Sequence, residues 1–260
     1  MGEAKVSLAR IAGPSYNLPS AGSTDGEDGQ MMNLDRAAIS KRDAAIAIVV
    51  LGSVWGFLEV VLGGAMKSAS IPYKGDLLTG LGIGLMAMLL ALGSRPAALL
   101  GVAAVAIAAK QLVVPILGLS VMCKANSCLA VGLAGGALAA TSAVAGGRLA
   151  RGIAPRVVVG VAAGLLGSAG FYFAGMRLAP CNYLLSFNRA GGFVDFMAAE
   201  GLIWAALGGV FLPLGYRVGL SLNQGLGSLR ARRPLLYYSV SLAVVAVAWI
   251  ASGLAIAAGL

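Results

Sequence analysis

Of the 260 residues, 59% are apolar, 11% are charged and the net charge is +9. An ordinary soluble domain is about a quarter charged, so a water-soluble fold of this length is excluded for want of polar surface. The basic residues sit in short breaks between apolar blocks, where they orient a membrane protein rather than line a nucleic-acid platform. The absence of histidine excludes rhomboid-like and His-zinc intramembrane proteases, haem held by His and His-based proton relays.

Apolar blocks of about 20 residues match the roughly 30 Å hydrocarbon core of a bilayer. A β-barrel would instead show segments of about ten residues alternating in polarity. The expected class is all-α, a polytopic transmembrane helical bundle of about seven spans. The 38 glycines suit that setting, because helices in lipid associate through close backbone packing.

In chain order, residues 1–43 are polar, with Gly22-Ser23-Thr24-Asp25-Gly26-Glu27-Asp28-Gly29 among them, and read as a disordered cytoplasmic N-terminal tail. This stretch has no apolar h-region before a small-residue cleavage site, so no signal peptide is expected; Met31 and Met32 are alternative starts. The first span is expected at Ala44 to Met66, between Arg42-Asp43 and Lys67. The second covers Leu77 to Leu92, before Arg95 and Pro96. The third, Ala97 to Met122, is interrupted by Lys110 and Pro115. Cys128 to Gly147 makes the fourth, followed by Arg148, Arg151 and Arg156. The fifth, Val157 to Met176, leads into a long loop with Arg177, Cys181 and Arg189. Phe196 to Tyr216 closes a six-span membrane core at 44–216. Residues 217–260 then form a cytoplasmic loop with Arg230, Arg232, Arg233 and Pro234, and a seventh span at Leu235 to Leu260.

Basic residues near the span ends set the orientation. Arg36, Lys41, Arg42, Arg95, Arg148, Arg151, Arg156, Arg217, Arg230, Arg232 and Arg233 fall on one side, 11 in all, against 5 on the other: Lys67, Lys74, Lys124, Arg177 and Arg189. The excess places the N-terminus in the cytoplasm of a cell inner-membrane protein, the C-terminus outside, and the three longer loops on the outer face.

Three ionisable residues fall inside the apolar blocks: Glu59, Lys110 and Glu200. Each costs a few kcal/mol if it faces lipid unpaired, so an interior, paired or hydrated setting is expected. At the helical rise they lie roughly 22, 20 and 24 Å from the cytoplasmic ends of the first, third and sixth spans. That shared level predicts one polar site binding a solute, with a purely structural Glu59–Lys110 pair as the alternative. Pro115 clashes with the carbonyl of Gln111 and frees backbone there, which adds Gln111 to the candidate contacts. Trp55 precedes Glu59 by four residues and Glu200 precedes Trp204 by four, a hint of inverted symmetry. Trp55 is also a candidate contact, although Trp55, Trp204 and Tyr216 equally suit interfacial anchors.

The loop from Lys67 to Asp76 places Tyr73 and Asp76 above the site as a candidate lid, and the loop from Arg177 to Asp195 has a similar mixture of Asn182, Tyr183, Phe187 and Asn188. Cys123 and Cys128, on the outer side, are candidates for a disulfide. With no histidine to complete a cysteine set, no metal site is expected, and no cofactor is implied. Glycine lines at Gly52, Gly56 and Gly63, and at Gly132, Gly135 and Gly136, read as close-packing faces. Gly52 and Gly56 also offer a small-residue face to a partner helix.

From Ala44 to Tyr216 the layout resembles the substrate-binding S component of energy-coupling factor transporters: six Gly/Ala-rich spans, a cytoplasmic start and three outer loops. The small residues Ala44, Ala45, Ala47, Gly52 and Gly56 are similar in character to that family's interaction face on the first helix. The resemblance implies capture of a vitamin or metal ion, in concert with a transmembrane partner and cytoplasmic ATPases. Two departures matter. The seventh span exceeds the usual six, and the absence of histidine disfavours the cobalt and nickel branch, which binds metal through an N-terminal histidine motif.

The expected function is an integral membrane transport protein, not an enzyme, that captures a small polar solute or vitamin-like metabolite from the outer face. Without a Walker A pattern it needs a partner motor, or a proton gradient acting through one glutamate as in a secondary transporter. The competing reading is a non-catalytic structural or assembly subunit of a membrane complex. A lipid enzyme lacks clustered Asp, His or Cys at any span edge, and a rhodopsin lacks the lysine its last helix would need.

Overall fold

The computed structural model describes residues 40–259; the expected tail over 1–39, including Met31 and Met32, and Leu260 lie outside the described residues. Ser40 caps the first helix by accepting a hydrogen bond from the Asp43 amide at 3.2 Å, and Asp43 in the first turn answers the positive end of the helix dipole. Helix α1 therefore starts ahead of Ala44, at residues assigned above to the tail. Among the described residues seven helices are long and apolar enough to cross a membrane: α1 Lys41–Ser68, α2 Lys74–Ala91, α3 Ala98–Leu117, α4 Ala125–Ala150, α5 Ile153–Leu178, α6 Gly192–Arg232 and α7 Pro234–Ala257. Among the described residues there is no strand. The protein is an all-α, multi-pass membrane bundle.

Two boundaries differ materially from the sequence expectation. Helix α3 is interrupted at Gln111 and Leu112, just ahead of Pro115, and stops at Leu117 rather than Met122 because Gly118 turns the chain with φ 62. Helix α6 does not end at Tyr216; it continues without a break to Arg232, so the expected loop over 217–232 is helix. No proline stops that stretch until Pro234, which instead begins α7. At 1.5 Å per residue α6 is about 60 Å long, roughly twice a bilayer core.

Close backbone packing builds the bundle around α6. A Cβ added at Gly160 would lie 2.1 Å from the Gly208 carbonyl oxygen, and one at Gly215 would lie 2.0 Å from that of Gly84. Helices α5 and α2 thus meet α6 main chain to main chain, which only glycine permits. On α1, added Cβ atoms at Gly52 and Gly56 would lie 2.6 Å from Val105 Cβ and 2.4 Å from Ala109 Cβ. The small-residue face considered for a partner helix is filled by α3 of the same chain.

Helix α7 is fastened to α1 by polar contacts. Trp249 Nε1 donates to Ser53 Oγ at 2.9 Å, and Ser53 is fully buried. At the other end the Arg42 guanidinium of α1 lies 4.3 Å above the Tyr238 ring of α7, and Arg230 near the end of α6 pairs with Asp43 of α1. Trp55, Trp204 and Tyr216 are 0%, 5% and 1% exposed, so they belong to the core rather than to an interfacial aromatic belt. Alternation of the spans brings the C-terminal ends of α1, α3, α5 and α7 to the same end of the bundle as the N-terminal ends of α2, α4 and α6.

Candidate functional site

Both intramembrane glutamates sit on π-helical turns: Glu59 within Leu58–Leu62 of α1, and Glu200 within Met197–Gly201 of α6. Such a turn inserts an extra residue into the helical repeat and is common at functional sites. Lys110, in the last turn before the α3 interruption, places its Nζ 2.5 Å from Glu59 Oε2 and also donates to Ser127 Oγ on α4. Trp55 Nε1 donates to the other Glu59 oxygen at 3.2 Å. The Glu59 carboxylate is therefore held from two directions, and its side chain is only 6% exposed.

Glu200 does not join this pair. Its carboxyl accepts from the Tyr183 hydroxyl and faces Asp76 within hydrogen-bonding reach. Asp76, in the first turn of α2, is 5% exposed and accepts from Trp204 Nε1 at 2.6 Å. The two tryptophans of the inverted sequence pairs thus behave differently: Trp55 serves its own helix's glutamate, whereas Trp204 reaches across to α2. Tyr183 lies in the loop between α5 and α6, where burial foremost, and then its bond to Glu200, push the phenol pKa above the ordinary tyrosine value.

These groups line two neighbouring cavities. One, of about 370 Å3, is walled by Glu59, Tyr73, Asp76, Tyr183, Glu200 and Trp204, with Asn126, Phe171 and Phe196 completing it. The other, of about 460 Å3, is walled by Glu59 and Lys110 and by Lys67, Lys74 and Lys124. Glu59, Lys74, Gly75 and Ser127 contribute to both. The cavities lie side by side with opposite charge character: carboxyls and aromatic rings in the smaller, lysines in the larger.

The predicted level of Glu59, Lys110 and Glu200 is thus only partly translated into contact. Glu59 and Lys110 meet directly, while Glu200 shares a cavity with Glu59 but not with Lys110. Tyr73 and Asp76 both line the smaller cavity, Tyr73 from a left-handed backbone position, φ 54, that sets the entry into α2. Trp55 stands behind Glu59 and Gln111 bonds to the Val121 carbonyl and Cys128 Sγ; neither lines either of these two cavities. Cys128 is a buried free thiol and the side chain of Cys123 lies outside the described residues, so the candidate bridge is not described. Sequence reasoning missed Trp204, Asn126, Ser127, Phe171, Phe196 and Lys74 as wall residues. Only Lys74 and the Asn126-Ser127 pair, polar and adjacent to span starts, carried a readable signal.

Among the described residues no group of three His, Cys, Asp or Glu stands close enough to hold a metal ion. Comparison with protein-family models, with curated proteins and with solved structures finds no match to this chain.

Proposed function

We propose that this chain is the solute-capturing protein of a membrane transport system, seated in the cell inner membrane with its N-terminus in the cytoplasm and both cavities toward the outer face. The observation that carries the reading is the position of Glu59: one carboxylate, held by Lys110 and Trp55, forms a wall of two cavities inside an apolar bundle. Ionisable groups inside a membrane protein mark solute or ion pathways. The cavity volumes fall in the range of small-molecule sites, about 300–1000 Å3, and their mixed polar and aromatic walls suit a small polar solute or vitamin-like metabolite.

The protein binds its solute without transforming it. Movement across the bilayer is driven by a transmembrane partner and cytoplasmic ATPases, the arrangement implied by the resemblance to energy-coupling factor S components, or by a proton gradient. A partner helix meets a surface other than the Gly52–Gly56 face, which α3 occupies. One observation favours a structural subunit as the second reading: the Glu59, Lys110 and Ser127 cluster is satisfied within the chain, as a bundle lock would be.

Thermal unfolding of the purified protein across a panel of vitamins and polar metabolites separates the two. A captured solute at a hundredfold excess over its Kd stabilises the fold by about 2.7 kcal/mol. The expected result is a raised midpoint for one compound class, lost in Glu200→Gln. A flat response to the whole panel would favour the structural subunit.

A further inference from the structure

We infer that the smaller cavity takes the protonated primary amine of a small organic solute, an ammonium head whose N–H groups are met by Asp76, Glu200 and Asn126. This rests on the solute-capture reading and names the chemical class of the solute.

Around this half-open cavity hydrogen-bond acceptors outnumber donors. Among the described residues Asp76, 5% exposed, receives one side-chain donor, Trp204 Nε1, besides its own backbone amide, while its carboxyl faces that of Glu200. Among the described residues Glu200 receives only the Tyr183 hydroxyl. Two carboxyls with four oxygens therefore share two side-chain hydrogen-bond donors among the described residues. A third acceptor is independent of this acidic pair: Asn126 Oδ1 is buried and receives no donor, its amide nitrogen being turned to Cys181 Sγ at 3.3 Å. Asp76, Glu200 and Asn126 come from α2, α6 and α4 and all line the same cavity. A buried acceptor without a donor is costly, and a native site leaves one open where a ligand supplies the missing N–H.

Countercharge is also missing. Among the described residues the ion pairs are Lys110 with Glu59, Arg189 with Asp195 and Arg230 with Asp43, so no described cation pairs with Asp76 or Glu200. Lys74 borders the cavity without approaching either carboxyl to ion-pair distance. The remaining wall is aromatic. Phe171 stacks on Trp204 with ring centroids 5.9 Å apart and packs against Phe196 at 6.4 Å, giving faces that attract a cation and cover the carbon skeleton attached to it. A metal ion would want a third carboxylate or thiol within reach, which the described residues do not provide. A quaternary ammonium would fit the rings and the charge but would leave the Asn126 oxygen and the carboxyl lone pairs without N–H donors.

The test uses the full chain in detergent, with linear primary alkylammonium chlorides and their N-trimethylated counterparts as probes at tens of millimolar and sodium chloride as the ionic-strength control. Primary ammonium ions should raise the thermal midpoint well above the sodium chloride control, and the trimethylated ions should not. Glu200→Gln and the near-isosteric Asp76→Asn should each weaken the response by roughly tenfold or more in apparent Kd, about 1.4 kcal/mol. Each variant's midpoint without probe reports whether the fold survives. Equal response to the trimethylated ions, no response to any primary ammonium, or an unchanged response in both variants overturns the inference. If the metabolite panel stabilises the protein while every ammonium probe fails, the amine assignment falls and solute capture stands. If neither stabilises it, both fall.

Discussion

Lys110 holds the most exacting position in the molecule, because its ammonium neutralises a carboxylate that cannot reach water freely. Removing one member of a buried pair strands the other charge, at about 3–5 kcal/mol, whereas replacing both with groups of similar shape is often close to neutral. Lys110→Ala should therefore destabilise the bundle by about 3–5 kcal/mol in denaturant unfolding, and Lys110→Met combined with Glu59→Gln should recover most of that loss. Tyr183 makes a second residue-scale prediction. Its phenol pKa is raised in the folded chain, so the fold binds its proton more tightly than the unfolded state does. The stabilisation is fully present below the ordinary tyrosine pKa of about 10 and is lost as pH rises above it. Unfolding midpoints of the parent chain should fall more steeply above that pH than those of Tyr183→Phe. Of the site, the sequence displayed Glu59, Lys110 and Glu200 clearly, since charges stand out in apolar blocks. It hid Trp204 bonding to Asp76, because a hydrogen bond across a distance of 128 residues leaves no local periodicity to read.

At the scale of the helix, glycine placement decides which pairs of spans touch. Gly160 and Gly208 bring α5 and α6 so close that a methyl group at Gly160 would lie 2.1 Å from a carbonyl oxygen, whereas Gly136 on α4 has no neighbour within 4 Å of an added Cβ. Gly160→Ala should cost about 1–3 kcal/mol through forced separation of the two helices. Gly136→Ala should be neutral or stabilising by up to about 1 kcal/mol, since alanine is the better helix former. Thermal unfolding of the two variants in the same detergent reads the difference. The same glycines explain what was legible in the fold. Number, order and approximate limits of the spans follow from apolar block length, but every glycine line looks alike in sequence, and only the packed structure shows that Gly52 and Gly56 serve α3. The end of α6 was hidden for a related reason. Hydropathy falls after Tyr216 where the helix leaves the apolar core, yet the backbone stays helical to Arg232 because nothing in the stretch breaks it.

For the molecule as a whole, function turns on which side of the membrane the cavities face. They lie near the bundle end that carries Tyr73, Lys124 and Tyr183, while the opposite end gathers Arg42, Arg148, Arg151, Arg156, Arg230, Arg232 and Arg233 together with the extension of α6. Basic residues close to span ends are retained in the cytoplasm, so the arginine-rich end should be cytoplasmic and the cavities external. Single cysteines introduced into a chain lacking Cys123, Cys128 and Cys181 report this directly. Tyr73→Cys and Ser186→Cys should react with a membrane-impermeant maleimide on intact cells, and Ser228→Cys, on the exposed surface of the α6 extension, should react only after the membrane is opened. The reverse pattern would turn the carboxyl and lysine cavities toward the cytoplasm, where capture from outside is impossible. Loading from the cytoplasm would then replace uptake as the use of the same walls, even if Asp76 and Glu200 still bound the amine.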